Sequence, residues 1–308
     1  VAVGKLWSRV RRVPARNACA ASECGEVVVR ESWEVRPIGV VCSPVKDPAA
    51  MPVNGVPATV EVYEAFAPGL VEIESNTHLW VLVWLHHADR TTLQTAGRHA
   101  RPGAALRGVF GLRHSSRPNP IGLAAARLLG VEGRRLYLDR LDFVDGTPVL
   151  DLKRYSPGWD AIFAARTYYE TLPRSDEPAQ LAEDLFLEAV HFHGEACVGA
   201  ALAARMVAYV VQRWGVATKD PALRVRVGPQ GCLVDGLQAT TGATLGSGRL
   251  EVVTEAGVQF VHGWQRLRLQ PRPQLANMLR DPLCPVLQAP EDHFIWVIFG
   301  ISKPIDPG

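Results

Sequence analysis

The chain has 308 residues, is 47% hydrophobic and 21% charged, and carries a formal net charge of +2. That length accommodates two domains of ordinary size, and the near-neutral balance argues against a dedicated nucleic-acid binder, which shows a clearly basic domain or stripe. No apolar run approaches a membrane span, and six scattered cysteines are too few for a disulfide scaffold, so no membrane association and a reducing cytoplasm are expected.

Residues 1–32 open with Lys5, Arg9, Arg11, Arg12 and Arg16 and no acid before residue 23. They lack the apolar middle of a secretory signal and read as a flexible basic arm. From 33 to 170 the pattern is strands and turns. The unbroken apolar run at 79–85 predicts a strand buried on both faces, and residues 60–70 predict one short helix. In GLRHSSRPNPIGLAAARLLG, residues 111–130, Pro118 and Pro120 fix their own φ and push Arg117 and Asn119 out of helical geometry. The run is a stiff extended loop whose guanidiniums suit carboxylate or phosphate oxygens, although a plain turn between strands reads equally well from the spacing. Residues 127–155 read as strand, glycine turn, strand, tight turn at Asp145-Gly146, and strand. This half is expected to be an antiparallel barrel or sandwich with functional loops.

Residues 171–180 are polar with two prolines and mark a domain boundary. Beyond them, to residue 308, the character is α+β. QLAEDLFLEAV has helical spacing, and ACVGAALAARMVAYVVQRWG reads as a long small-residue helix ending at Gly215. ALRVRVG, LEVVTEAGVQFVHG and RLRLQ read as strands.

RPNPIGL at 117–123, followed by LDFVDGTPVLDLKRY at 141–155, resembles the signature of the TrmO (TsaA-like) methyltransferases, beginning at RPIGVV, 36–41. The resemblance implies a small, often dimeric β-barrel that uses S-adenosylmethionine to methylate N6 of threonylcarbamoyladenosine in the tRNA anticodon loop. It implies a cofactor pocket from His86, His87, Arg113, Arg117, Leu123, Arg140, Leu141 and Asp142, with the loop 145–148 shaping the site. An arginine suits the methionine carboxylate. A carboxylate such as Asp142 suits taking a proton or balancing the sulfonium, so Asp142 and Asp145 are the candidate catalytic residues. Where the family has Pro-Arg-Gln before its first helix, this chain has Pro52, Val53 and Asn54.

FHGEACVG at 192–199, with GCLVDGLQATTGATLGSGRL at 231–250, resembles the FmdE component of formylmethanofuran dehydrogenase, whose pattern is Phe-His-Gly-His-x-Cys-Pro-Gly with a later Cys-x-x-Asp. Glu195 replaces the second His and Val198 the Pro. The resemblance implies a metal site at His193, Cys197 and Cys232. Two thiolates and an imidazole suit zinc, with an open fourth position or Glu195 completing it. Two buried cysteines beside a hydrogen-bonded histidine is the competing reading. No counterpart of the family's C-terminal zinc ribbon is expected, because Cys284 has no neighbouring cysteine. The combined expectation is a methyltransferase, active as a homodimer, acting on a small molecule or metal-bound metabolite presented by the second domain. The alternatives are tRNA as acceptor, aided by the basic arm, and a non-enzymatic metal-binding or sensory protein.

Overall fold

The computed structural model describes residues 34–96, 105–162, 165, 178–271 and 295–301, with backbone alone at 178, 271 and 295–301. The expected basic arm lies outside the described residues. The chain divides into two compact units, Val1–Asp160 and Ala161–Gly308. The division falls ten residues before the boundary read from the sequence, directly after a short helix, α1 (Pro157–Asp160).

The first unit contains β1 (Gly39–Cys42), β2 (Val56–Val62), β3 (His78–Trp84), a small ribbon of β4 (Gln94–Thr95) and β5 (Arg107–Gly108), then β6 (Ile121–Glu132), β7 (Arg135–Leu141) and β8 (Pro148–Arg154). Six strands close an antiparallel barrel in the order β1-β2-β7-β6-β3-β8. Closure leaves those strands no open edge. Alternation fills the interior with Val41, Val60, Val81, Val83, Leu136 and Val149, all at 0% exposure. Burial of each such side chain contributes about 1.5–3 kcal/mol.

Strand β3 corrects one expectation. It is buried on one face only: Leu79, Val81 and Val83 point inward, whereas Trp80, Leu82 and Trp84 are half-buried on the outside. A barrel wall has a single interior, so an apolar outer row becomes surface. The register sets Trp84 beside Ile121, Leu82 beside Leu123 and Trp80 beside Ala125 of β6, making an apolar outer patch. The short helix expected over 60–70 also divides. Residues 60–62 complete β2, and Glu64–Leu70 form a 3-10 helix containing Pro68, which lacks the N–H that a longer α-helix would need. The turn at Asp145-Gly146 is as expected, with Gly146 at φ 76°.

The second unit contains α2 (Pro178–His193), α3 (Val198–Trp214), β9 (Leu223–Val227), α4 (Gly231–Thr241), β10 (Leu250–Val252), β11 (Val258–His262), β12 (Gln265–Pro271) and β13 (Ile295–Ile301). The sheet order is β10-β9-β11-β12-β13, with β10 and β9 parallel and the other neighbours antiparallel. One sheet face carries Val225, Phe260 and Leu269 into a core shared with Leu185 of α2, Met206 of α3 and Leu237 of α4. Helix α3 ends where Gly215 adopts φ 65°. The sequence pattern did not foreshadow α4 or β13. No described helix is long and apolar enough to cross a membrane.

Candidate active cleft and metal centre

At one end of the barrel, the segments that leave the strands converge on an open cleft of about 150 Å³. The chain leaving β3 supplies Leu85, His86 and His87, and the chain leaving β7 supplies Asp142, Phe143 and Val144. Met51 closes one side, while Ser115 and Ser116 come from the stiff arginine-proline loop. The cleft therefore has apolar walls with a few convergent polar groups, the usual composition of a small-molecule site.

The His86 and His87 rings lie 3.9 Å apart at 44°. Burial lowers the pKa of His86 and the His87 charge adds to that, against a weaker opposing backbone bond at Trp84. His86 is thereby held neutral to a lower pH than an ordinary imidazole. Asp142 is exposed at the rim, where its carboxylate can meet a cationic ligand.

Of the residues singled out in the sequence, the structure brings His86, His87 and Asp142 together. The others serve neighbouring elements. Arg113 donates to the Leu123 carbonyl. Arg117 donates to the carbonyls of Val109, Leu112 and His114, tying the loop to itself. Leu123 points outward at 42% exposure, and Leu141 is a core residue at 1%. Arg140 is half-buried with its Nε 3.6 Å from Asp139. Asp145 accepts from the Ser43 N–H at 3.1 Å, which clamps β1 to the turn before β8. Residues 52–54, the departure from the family pattern, form a turn closed by Gly55 N–H to Pro52 O at 3.0 Å. Thr147, in the loop expected to shape the site, does line the cleft, whereas sequence reasoning missed Met51, Ser115 and Ser116. For the serines the available signal was their position between Arg113 and Arg117.

In the second unit three helix ends meet. His193 closes α2, and Gly194 (φ 95°) breaks the chain there. Cys197 is the N-cap of α3, its sulfur accepting the Ala200 N–H at 3.4 Å. Cys232 lies in the first turn of α4. The donor atoms of His193, Cys197 and Cys232 all lie within 4.8 Å of one another. Two helix N-termini direct partial positive charge toward the sulfurs. Burial, followed by the charge on Cys197, pushes the Cys232 thiol upward.

Asp235, one turn after Cys232, takes the other side of the imidazole: its Oδ2 lies 3.0 Å from His193 Nδ1. That partner presents Nε2 as the lone-pair donor, the arrangement by which a carboxylate orients a metal-binding histidine. Nε2 is buried without a hydrogen-bond partner, and the Glu195 carboxylate stands 3.9 Å from it. A buried, unsatisfied imidazole nitrogen beside two soft sulfurs fits a zinc-type ion. Gly199 makes the convergence possible, because a Cβ there would lie 2.5 Å from Cys232 Cβ and 2.9 Å from the Leu233 backbone nitrogen.

A family model of the tRNA-methyltransferase O N-terminal domain matches residues 40–161. A second model, FmdE, molybdenum formylmethanofuran dehydrogenase operon, matches residues 192–272. A "Probable S-adenosyl-L-methionine-binding protein" of Archaeoglobus fulgidus is 36% identical over 228 residues, covering 70% of this chain and 60% of that protein. The chain thus spans less than two thirds of that relative's length, yet the match is too long to lie within either unit alone. An "S-adenosyl-L-methionine-binding protein" of the same organism is 41% identical over 133 residues, 42% of this chain and 93% of the relative. The "tRNA (adenine(37)-N6)-methyltransferase" of Mus musculus is 39% identical over 92 residues, 30% of this chain and 21% of that protein. The chain thus covers nearly the whole of one relative at 41% identity, and it belongs to the tRNA-methyltransferase O family, with the FmdE match following in the sequence.

Proposed function

We propose that the protein binds S-adenosylmethionine in the barrel cleft and transfers its methyl group. The observation that carries this reading is the convergence of His86, His87 and Asp142 at the barrel end, in a chain 41% identical over 133 residues to a protein named for binding that cofactor. The cofactor supplies a methyl already activated on sulfonium, so the protein's task is alignment and charge balance. Asp142 balances positive charge at the rim. Met51, Leu85 and Phe143 exclude water, and neutral His86 accepts or passes a proton at the acceptor. Calorimetry on the intact protein tests it. Binding is expected, weakened about 10- to 100-fold in Asp142→Asn through loss of a charged partner. No binding to the unaltered protein would sink the reading.

For the acceptor the proposal is tRNA, supported by the family's description and by the name of the mouse relative. A second reading, a small molecule or metal-bound metabolite presented by the second unit, is favoured by the His193, Cys197 and Cys232 cluster. Methyl transfer from labelled cofactor to tRNA lacking the modification, set against transfer to a small-molecule extract, separates the two. The same reading takes the protein as a cytoplasmic homodimer, its barrel outer patch covered by a second copy, in a compartment where Cys197 and Cys232 remain free thiols able to hold zinc.

A further inference from the structure

The helices of the second unit cover one face of its sheet. The other face carries an ordered set of arginines. Along β9, Leu223, Val225 and Val227 turn inward and Arg224 and Arg226 outward. Along β12, Leu267 and Leu269 are buried, which turns Arg266 and Arg268 to the outer face. Strand β11 runs between them. Its Gln259 pairs with Arg226 on one side and Arg268 on the other, and its Val261 pairs with Arg224 and Arg266. The four arginines thus form two rungs. Across β11 their backbones are about 10 Å apart, and along each strand about 7 Å.

Their charge is only partly balanced. Glu251 takes Arg226 as a fork, at 2.9 and 3.3 Å, and Glu255 adds its charge nearby. Arg224 and Arg268 are anchored otherwise, donating to the carbonyls of Gly248 at 3.1 Å and Ala256 at 2.9 Å. A carbonyl holds a guanidinium in place without neutralising it, and leaves most of its donors free. Four arginines against two carboxylates give the face a net charge of about +2. Glu183, Asp184 and Glu188 lie instead on α2, in the helical layer.

We propose that this arginine-bearing sheet face binds the phosphodiester backbone of RNA, its two arginine rungs holding successive phosphates of the acceptor tRNA. Guanidinium forks match phosphate oxygens bidentately, and side chains already held by backbone carbonyls lose less freedom on binding. The near-neutral total charge conceals this surface, because a whole-chain sum averages over where the charges lie. The proposal rests on the RNA reading of the acceptor and is independent of the cofactor cleft.

The test uses the full chain and a fluorescent, unmodified tRNA transcript, with affinity measured by anisotropy over a range of salt. Arg224→Gln with Arg268→Gln is expected to weaken binding about tenfold and to flatten the slope of log affinity against log salt by about 1.4–1.8. Arg213→Gln, on α3 away from the face, is expected to change neither. Affinity and slope unchanged in the double variant overturn the proposal, as does equal binding of a polyglutamate of matched length. If the double variant misfolds, an arginine-modifying dicarbonyl on the unaltered protein gives the answer. Bound tRNA is expected to protect Arg224, Arg266 and Arg268, and full reactivity in the complex overturns the proposal. Calorimetry with S-adenosylmethionine runs alongside. Cofactor binding without tRNA binding defeats the surface and leaves the cleft reading standing.

Discussion

At the scale of single residues, the two sites invite different measurements. Because burial and the neighbouring His87 charge disfavour protonated His86, its titration midpoint should lie below the ordinary value near 6.5. The unfolded chain then binds the proton more readily than the folded one. His86 therefore adds its full share to stability above that value, and the share shrinks as pH falls through 6.5 toward the folded midpoint. In an NMR titration, His87→Gln should move the His86 midpoint upward but not fully to 6.5, since burial remains. An unmoved midpoint would show that the two rings do not interact. At the metal centre, about one zinc per chain is expected, lost in Cys197→Ser or Cys232→Ser. Asp235→Ala should weaken zinc binding by about 10- to 100-fold with unchanged helix content. Chelator competition reads this directly, and equal affinity would return Asp235 to an ordinary surface role.

At the scale of elements, the helices show what the sequence carried plainly and what it did not. Helix α3 was legible because its alanines and Gly215 match helix propensity and the left-handed C-cap. Helix α4 was not, since Gly231, Gly236, Thr240 and Thr241 are poor helix formers. It is helical because it packs on α2 and α3, and Gly236 is there because a Cβ would come within 2.6 Å of Ala203 Cβ. Local pattern cannot report such a contact. The same limit applied to the sites. The histidine pair was visible at the end of an apolar run, but Met51 reaches the cleft only through barrel closure. Cys232 joins His193 through helix packing, and the sequence pointed to it only through a family resemblance. The α3–α4 contact is itself testable. Gly199→Ala must push the start of α4 away, costing about 1–3 kcal/mol and weakening zinc binding. Gly236→Ala, one turn further on, should cost comparable stability while sparing zinc. Thermal melts paired with metal competition distinguish them, and equal zinc loss in both would mean that the seam acts only through overall stability.

At the scale of the whole molecule, the barrel's outer wall is the feature a solitary copy leaves unexplained. Leu82 and Leu123 stand beside each other in register, with Trp84 beside Ile121, and Ile121 is 46% exposed. Trp80 packs on Tyr155 with ring centres 5.3 Å apart, and the Arg90 guanidinium lies 5.3 Å from the Trp84 ring centre. These contacts leave both indoles half-buried on the outer wall. Lone apolar side chains are common on protein surfaces, but a contiguous row across two strands marks an interaction surface. Covering it with a second copy requires self-complementarity about a two-fold axis. A carboxylate at its centre would then be set against the partner's apolar wall. Leu123→Glu should shift the protein from dimer to monomer in light scattering after gel filtration, while its inward neighbours Gly122 and Ala124 keep the barrel folded. Arg113, which holds the Leu123 carbonyl, links this wall to the stiff loop that supplies Ser115 and Ser116 to the cleft. Loss of the dimer should therefore also weaken cofactor binding. A monomeric unaltered protein would overturn the interface, and a dimeric Leu123→Glu variant would place it on another face.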